Sequence, residues 1–285
     1  MMSKVVRSIN VMQCIARELH TKKKVIGFVP TMGYLHAGHL SLVNVAKKYA
    51  DVVIVSIFVN PIQFGPSEDF NIYPRDFQRD RRLLSAAGVA YIFYPDINQM
   101  YPKSYRTYVE VKELSDKLCG RFRVGHFVGV TTVVAKLFNI VQPDIAVFGQ
   151  KDAQQAIIIK RMVKDLNFPV KIIVAPTVRE KDGLAMSSRN VYLTTEERQK
   201  APVLYQALTI AKRLIAQGER DPAKVLQAMR TLIDAVPELK LEYLEIVDLD
   251  NLEPVPIIKN RVLIALAARL GKARLIDNII VKTNG

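Results

Sequence analysis

The sequence predicts an α/β protein built on a doubly wound parallel sheet, with a smaller α+β unit after it. Three observations carry this. Short, nearly continuous apolar runs alternate with stretches of helical periodicity as far as residue 174. The runs are rich in β-branched residues and bounded by Gly, Pro or Asn, which suits strands covered on both faces. After Pro176 the order changes to two helices followed by three strands, the pattern of a separate α+β unit.

In chain order, Ile9, Met12, Ile15, Ala16 and Leu19 recur at helical spacing and predict an opening amphipathic helix. Residues 25–29 predict a short buried strand stopped by Pro30. A helix follows from about residue 38, with Leu40, Val43, Ala46 and Ala50 on one face, and then a strand over 52–59. Strand, helix and strand in about 35 residues make a βαβ unit with a right-handed crossover. The alternation continues with a helix over 75–87, a strand over 89–94 and a short strand over 108–111. A helix over 126–141, a strand over 144–148, a helix over 152–167 and a strand over 170–174 complete it. Beyond residue 176, helices are predicted over 196–217 and 222–236, and strands over 240–247, 262–267 and 273–281. The chain thus divides into a Rossmann-like domain, 1–176, and a C-terminal α+β domain, 177–285.

Of the 285 residues, 49 % are hydrophobic and 24 % are charged, spread along the chain, which excludes a disordered or low-complexity protein. No apolar run reaches the roughly 18 residues that a membrane helix needs, and the first residues lead into no apolar signal region. Cys14 and Cys119 lie in unrelated contexts without metal-type spacing. A cytoplasmic protein with no membrane partner is expected. Lys and Arg number 41 against 27 Asp and Glu, a net charge of +14. Residues 1–180 hold 25 basic and 14 acidic side chains, so most of the excess lies there. A positive field favours nucleotide phosphates or nucleic acid, although a plain solvated surface explains the charge equally. No basic run exceeds Lys22-Lys23-Lys24 and no basic–aromatic stripe is present, so nucleic acid is not an expected partner.

Polar clusters fall at four strand ends, where open α/β sheets bind ligands. After the first apolar run, Gly33 and Gly38 permit close backbone approach, and His36 and His39 open a helix. Free N–H groups and the macrodipole attract phosphate to such a terminus, and two imidazoles there can donate to phosphate oxygens as charge builds. Core packing and a metal pair are the other readings of His-x-x-His; a metal needs further ligands, and only His20 and His126 remain among the histidines. Asn60 and Gln63 follow the second strand, in reach of a polar substrate or serving an ordinary turn. Lys151 follows Gly149 and Gln150 at a helix start, where the macrodipole disfavours a cation unless an anion is bound. The segment 177–190 combines Gly183 with Met186, Ser187, Ser188 and Arg189. It suits a mobile loop closing over a polyphosphate, or a linker between domains.

His36-Ala37-Gly38-His39 resembles the HxGH signature of the nucleotidyl-transferring α/β superfamily that includes class I aminoacyl-tRNA synthetases. Met186-Ser187-Ser188-Arg189 resembles its KMSKS-type loop. Together, residues 30–39, 56–64, 125–130, 148–155, 182–193 and 271–278 resemble the pantothenate synthetase (pantoate–β-alanine ligase) family along nearly the whole chain. The combination with Asn60-Pro61-x-Gln63-Phe64 and Gly149-x-Lys151-Asp152-x-Gln154-Gln155 is specific to that family. Gln150, Ala153 and Val124 depart from its usual Glu, aromatic residue and Pro.

The resemblance implies ATP binding by Met32, Gly33, Tyr34, Leu35, His36, Ala37, Gly38 and His39, and by Gly149, Gln150, Lys151 and Asp152. It adds Val178, Met186, Ser187, Ser188 and Arg189. Catalytic roles are implied for His36, His39 and Lys151, with His39 as proton donor. Gln63 and Gln155 are the implied pantoate ligands, and Gln63 also lies near β-alanine. The implied reaction condenses pantoate with β-alanine through pantoyl adenylate, releasing AMP and pyrophosphate. Mg2+ is expected to arrive with ATP, no residue is assigned as a metal ligand (Asp80, at an acidic family position, included), and a homodimer is implied. The alternatives are AMP transfer to a phosphate-bearing acceptor, which the neutral Asn60, Gln63 and Gln155 disfavour, and a synthetase-like nucleic-acid module, for which no anticodon-binding region is recognisable.

Overall fold

The computed structural model describes residues 2–66 and 68–283. The first half runs β1 (Lys4–Val6), α1 (Ile9–Thr21), β2 (Ile26–Thr31), α2 (Ala37–Ala46), β3 (Val52–Ile57), α3 (Phe77–Ala86), β4 (Tyr91–Phe93) and the short α4 (Ile97–Met100). Then come α5 (His126–Val141), β5 (Ile145–Gly149), α6 (Ala153–Asp165) and β6 (Lys171–Ala175). All six strands pair in parallel, in the order β1-β4-β3-β2-β5-β6. The order reverses between β2 and β5, so the carboxyl ends of those two strands frame a crevice.

Side chains alternate across the sheet and so build two covered faces. Phe28, Ala146 and Phe148 pack with Met12 of α1, Phe138 of α5 and Ile158 of α6. Val29, Ile145 and Val147 pack on the other face with Val43 of α2 and Leu84 of α3. Each face buries large aliphatic and aromatic side chains, at about 1.5–3 kcal/mol apiece relative to exposure.

The chain continues through α7 (Thr195–Lys200), α8 (Val203–Ala216) and α9 (Pro222–Asp234) into an antiparallel sheet of β7 (Leu239–Asp248), β8 (Arg261–Leu270) and β9 (Ala273–Lys282). α8 and α9 cover one face of it, where Leu208 and Met229 meet Ile264 and Leu266. The opposite face, with Tyr243, Leu263 and Ala265, joins the cluster that holds Phe28 and Phe148. The small sheet therefore leans on the large one, and β9 comes up to the strand ends.

Four elements differ from the sequence reading, the short α4 being an additional helix. β1 is an additional strand, an edge partner of β4 with Lys4 opposite Tyr91. Residues 108–111 are not a strand: Val109 N–H donates to Thr132 Oγ1 at 2.9 Å and Val109 C=O accepts from Thr131 Oγ1 at 2.5 Å, so α5 side chains take the bonds a ladder would supply. The helix expected over 196–217 is two, α7 and α8, divided at Ala201 and Pro202. Proline lacks the N–H that would continue the first helix, and Thr194 with Glu197 closes a capping box that starts it.

Candidate active site

The four polar segments meet at the switch point. Residues after β2, β3, β5 and β6 line one cleft of about 220 Å³. A second cavity of about 480 Å³ adjoins it and shares Arg123, Lys151, Gln155 and Arg189.

His36 is the N-cap of α2. Its Nδ1 accepts from Gly38 N–H at 3.1 Å, and His39 Nδ1 accepts from His36 N–H at 3.3 Å, a capping box made of two imidazoles. Gly38 is required here, since a Cβ would lie 2.8 Å from the His36 ring. An Nδ1 that accepts leaves the proton on Nε2, so each neutral ring presents an N–H donor. Both rings stay neutral at pH 7. Removal from water, then the Lys151 charge, lowers His36 to about 4. His39 is held well below its ordinary value by burial, then His36 and Lys151. Ahead of the pair, Asp80 fixes the loop: its carboxylate accepts from Tyr34 N–H at 2.7 Å and Leu35 N–H at 2.8 Å.

Gln63 sits in a one-turn 3-10 helix, Pro61–Gln63, after β3. Its Oε1 accepts from Asn60 Nδ2 at 3.1 Å, and its Nε2 lies 3.3 Å from Met32 Sδ. Asn60 is 1 % exposed; it also donates to Gly129 C=O at 3.0 Å and accepts from Tyr101 Oη at 2.8 Å. It therefore orients Gln63 while lining the same cleft. Beneath, His126 Nδ1–H donates to Gln63 C=O at 2.8 Å, and Arg123 Nη1 donates to His126 Nε2 at 2.9 Å. Arg123 is in turn gripped by Glu68 through Nε at 2.8 Å and Nη2 at 2.5 Å. Burial, then the Arg123 charge, lowers His126 to about 3 and keeps it neutral.

Lys151 lies in a 3-10 turn, Gln150–Asp152, that leads into α6. Among the described residues its sole ion-pair partner is Asp152, at 3.7 Å. Arg189 is more firmly held: Nε and Nη2 each donate to Asp69 at 2.8 Å, which leaves Nη1 for another acceptor. The segment 182–190 is docked, with Ser188 Oγ donating to Tyr34 C=O at 3.1 Å and Asn190 Nδ2 to Glu180 at 3.0 Å.

Of the expected site residues, Met32, His36, Gly38, His39, Gln63, Gly149, Lys151, Asp152, Gln155, Val178, Met186, Ser187, Ser188 and Arg189 all line the cleft. Gly33, Tyr34, Leu35, Ala37 and Gln150 do not. Leu35 is fully buried in the core, and Gln150 lines a different hollow, by Lys160. Gln154 lines the adjoining cavity and not the cleft, its amide spent on Cys119 N–H, Leu114 C=O and Lys117 C=O. Of the positions that depart from the family pattern, Val124 is 91 % exposed and Ala153 is buried. Arg123, Glu68, Asp69 and Asn278 were not expected at the site. Arg123-x-x-His126 at a helix start offered the same signal as the first histidine pair, whereas the partners of Asp69 and Asn278 lie more than a hundred residues away.

The neutral histidines set a pH dependence. In the unfolded chain they titrate near 6.5, so between about pH 6.5 and 4 the unfolded state takes up protons that the native state refuses. Their contribution is complete above that window and declines through it as pH falls. The thermal midpoint should drop over this range, and less steeply in His126→Gln. Equal slopes would show that native His126 takes up its proton there.

Known proteins match the chain over nearly its whole length. The family model for pantoate-beta-alanine ligase matches residues 4–280. Pantothenate synthetase of Caldicellulosiruptor bescii is 56 % identical over 278 residues, covering 98 % of this chain and 99 % of its own. That of Moorella thermoacetica is 59 % identical over 259 residues, 91 % of this chain and 92 % of its own. The crystal structure of the Thermus thermophilus enzyme superposes with a TM-score of 0.93 at 47 % identity, covering 97 % of this chain and 98 % of that one. The Francisella tularensis ligase, complexed with Beta-gamma ATP and Beta-alanine, gives 0.81 at 37 % identity, covering 98 % and 97 %. With a family match spanning nearly all of its length, the chain belongs to the pantoate–β-alanine ligase family.

Proposed function

We propose that the chain joins pantoate to β-alanine at the expense of ATP, through a pantoyl-adenylate intermediate. A pantoate carboxylate oxygen attacks the α-phosphorus, and pyrophosphate leaves with the electron pair of the broken P–O bond. The amine of β-alanine then attacks the acyl carbon, the bond to AMP breaks, and the amine gives up a proton as the amide forms. The observation that carries this reading is the pair of neutral imidazoles at the start of α2, sharing one cleft with Lys151 and the neutral amides of Gln63 and Gln155. The Nε2–H groups of His36 and His39 donate to phosphate oxygens as negative charge develops, with His39 as the principal donor. The α2 terminus adds its dipole. Lys151 neutralises the triphosphate from the other side of the switch point, and Arg189 meets it through Nη1.

Gln63 and Gln155 hold the hydroxyl and carboxylate groups of pantoate, and Gln63 borders the β-alanine position. Val130, Val133 and Leu137 of the same cleft offer an apolar wall to its methyl groups. In this reading residues 1–176 bind nucleotide and pantoate, and 177–285 act as a lid. No side chain serves as nucleophile, so the protein's part is positioning and charge stabilisation. Magnesium enters only as the companion of ATP. Among the described residues no group of three His, Cys, Asp or Glu side chains gathers to cage it. The same reading includes a homodimer in the cytoplasm; sedimentation tests the dimer. No described helix is long and apolar enough to cross a membrane.

Product analysis with ATP, pantoate and β-alanine tests the reading. Equal amounts of AMP, pyrophosphate and pantothenate are expected, whereas ADP and phosphate would refute it. Gln155→Ala should raise the KM for pantoate more than that for ATP. A shift confined to ATP would move this residue to the nucleotide.

A further inference from the structure

We propose that Asn278, on the C-terminal sheet, is a positioning residue that holds the Lys151 turn against the phosphate site. The proposal rests on the ATP-dependent reading above and gives the small sheet a direct part in it. Asn278 lies on β9 and is 3 % exposed. Its Nδ2 donates to two consecutive main-chain carbonyls, Gln150 and Lys151, each at 2.9 Å. One amide therefore fixes both peptide planes that set the direction of the Lys151 side chain. Among the described residues the lysine has no close ion pair to do this, Asp152 being 3.7 Å away.

The amide is placed at a cost. Among the described residues Asn278 Oδ1 is buried without a hydrogen-bond partner, and such an acceptor is unfavourable in a protein interior. The two bonds made by Nδ2 offset that cost, and turning the amide over would lose both.

The neighbouring Asp277 anchors the strand. It accepts from Arg179 Nη1 at 2.5 Å and Nη2 at 2.9 Å, and its Oδ1 also accepts from Asn278 N–H at 2.7 Å. Arg179 donates onward to Gly183 C=O at 3.0 Å, at the base of the segment that carries Arg189. Successive strand residues face opposite ways: Asn278 pairs across the sheet with Ala265 of the shared core, and Asp277 with Leu266 of the C-terminal core. Two adjacent residues of β9 thus reference both cationic segments, the Lys151 turn and the 179–189 segment, to one rigid strand.

A double-mutant cycle on the full chain tests this, using wild type, Asn278→Ala, Lys151→Ala and the pair. Steady-state kinetics, calorimetric ATP binding and thermal midpoints are measured for each. Asn278→Ala should lower kcat about 10–100-fold, the scale of a small misplacement at a reacting centre, and leave the KM for β-alanine unchanged. In the Lys151→Ala background the same change should add less than about twofold, because residues acting as one unit are not additive. Losses that multiply in the pair, or wild-type kcat in a folded Asn278→Ala, would overturn the proposal. If the alanine variant melts below the assay temperature, Asn278→Ser, whose single O–H cannot replace both Nδ2 bonds, takes its place in the cycle with the same expected and contrary results. ATP binding supplies the same cycle without turnover. Wild type that makes no pantothenate would therefore refute the proposed function, while the additivity of ATP affinity still decides on Asn278.

Discussion

His39→Ala should lower kcat by about 10²–10³-fold, the usual cost of removing one well-placed donor from a site of developing negative charge, while the chain stays folded. The ring is neutral and its Nδ1 is occupied by His36 N–H, so the donor is Nε2–H and the loss falls on the chemical step more than on ATP affinity. The structural cost is smaller. The capping box loses one of its two bonds, on the order of 1 kcal/mol. Kinetics with a melting curve separates the two effects. A folded variant with kcat within twofold of wild type would remove the histidine pair from the mechanism.

Gly129→Ala should cut kcat/KM for pantoate by about 10²-fold without any change to a polar group. A Cβ there would lie 2.5 Å from Ile62 O, 2.6 Å from Gln63 Cα and 2.7 Å from Gln63 N. All three are main-chain atoms, so no rotamer change relieves the overlap, and α5 must part from the Gln63 turn. The parting strains the bonds from Asn60 to Gly129 C=O and from His126 to Gln63 C=O. A stability loss of about 1–3 kcal/mol should accompany it, as for other overpacked sites. The KM for ATP should move less than that for pantoate. Unchanged pantoate kinetics in a folded variant would show that the turn is not held by this contact.

The sheet was legible in sequence wherever an apolar run stood between breakers, as at 25–29, 52–59 and 144–148. β1 was not, because Lys4–Val6 is three residues long and its pairing with Tyr91–Phe93 is set by chain far away. Residues 108–111 misled because alternation at Tyr108, Val109, Glu110 and Val111 is a local signal, whereas their hydrogen bonds come from Thr131 and Thr132 of α5. At the site, His36, His39, Gln63, Lys151 and Arg189 lie in short motifs at strand ends and could be read directly. Their supports could not. Glu68 reaches Arg123 across 55 residues and Asp69 reaches Arg189 across 120. Asn60 stood open in sequence between reaching a polar substrate and serving the turn, and its bonds to Gly129 and Tyr101, which brace Gln63, come from chain far away. Asp80 left a fainter trace, a charge sharing the buried side of α3 with Leu84, and burial raises its carboxyl above the ordinary range against the pull of two backbone donors.

The most direct measurement of the central claim is exchange of labelled pyrophosphate into ATP, with pantoate present and β-alanine left out. If the carboxylate is adenylated first and reversibly within a cleft that excludes water, pantoate alone should support exchange, and omitting pantoate should abolish it. Exchange that appears only when β-alanine is added would contradict an adenylate formed ahead of the amine.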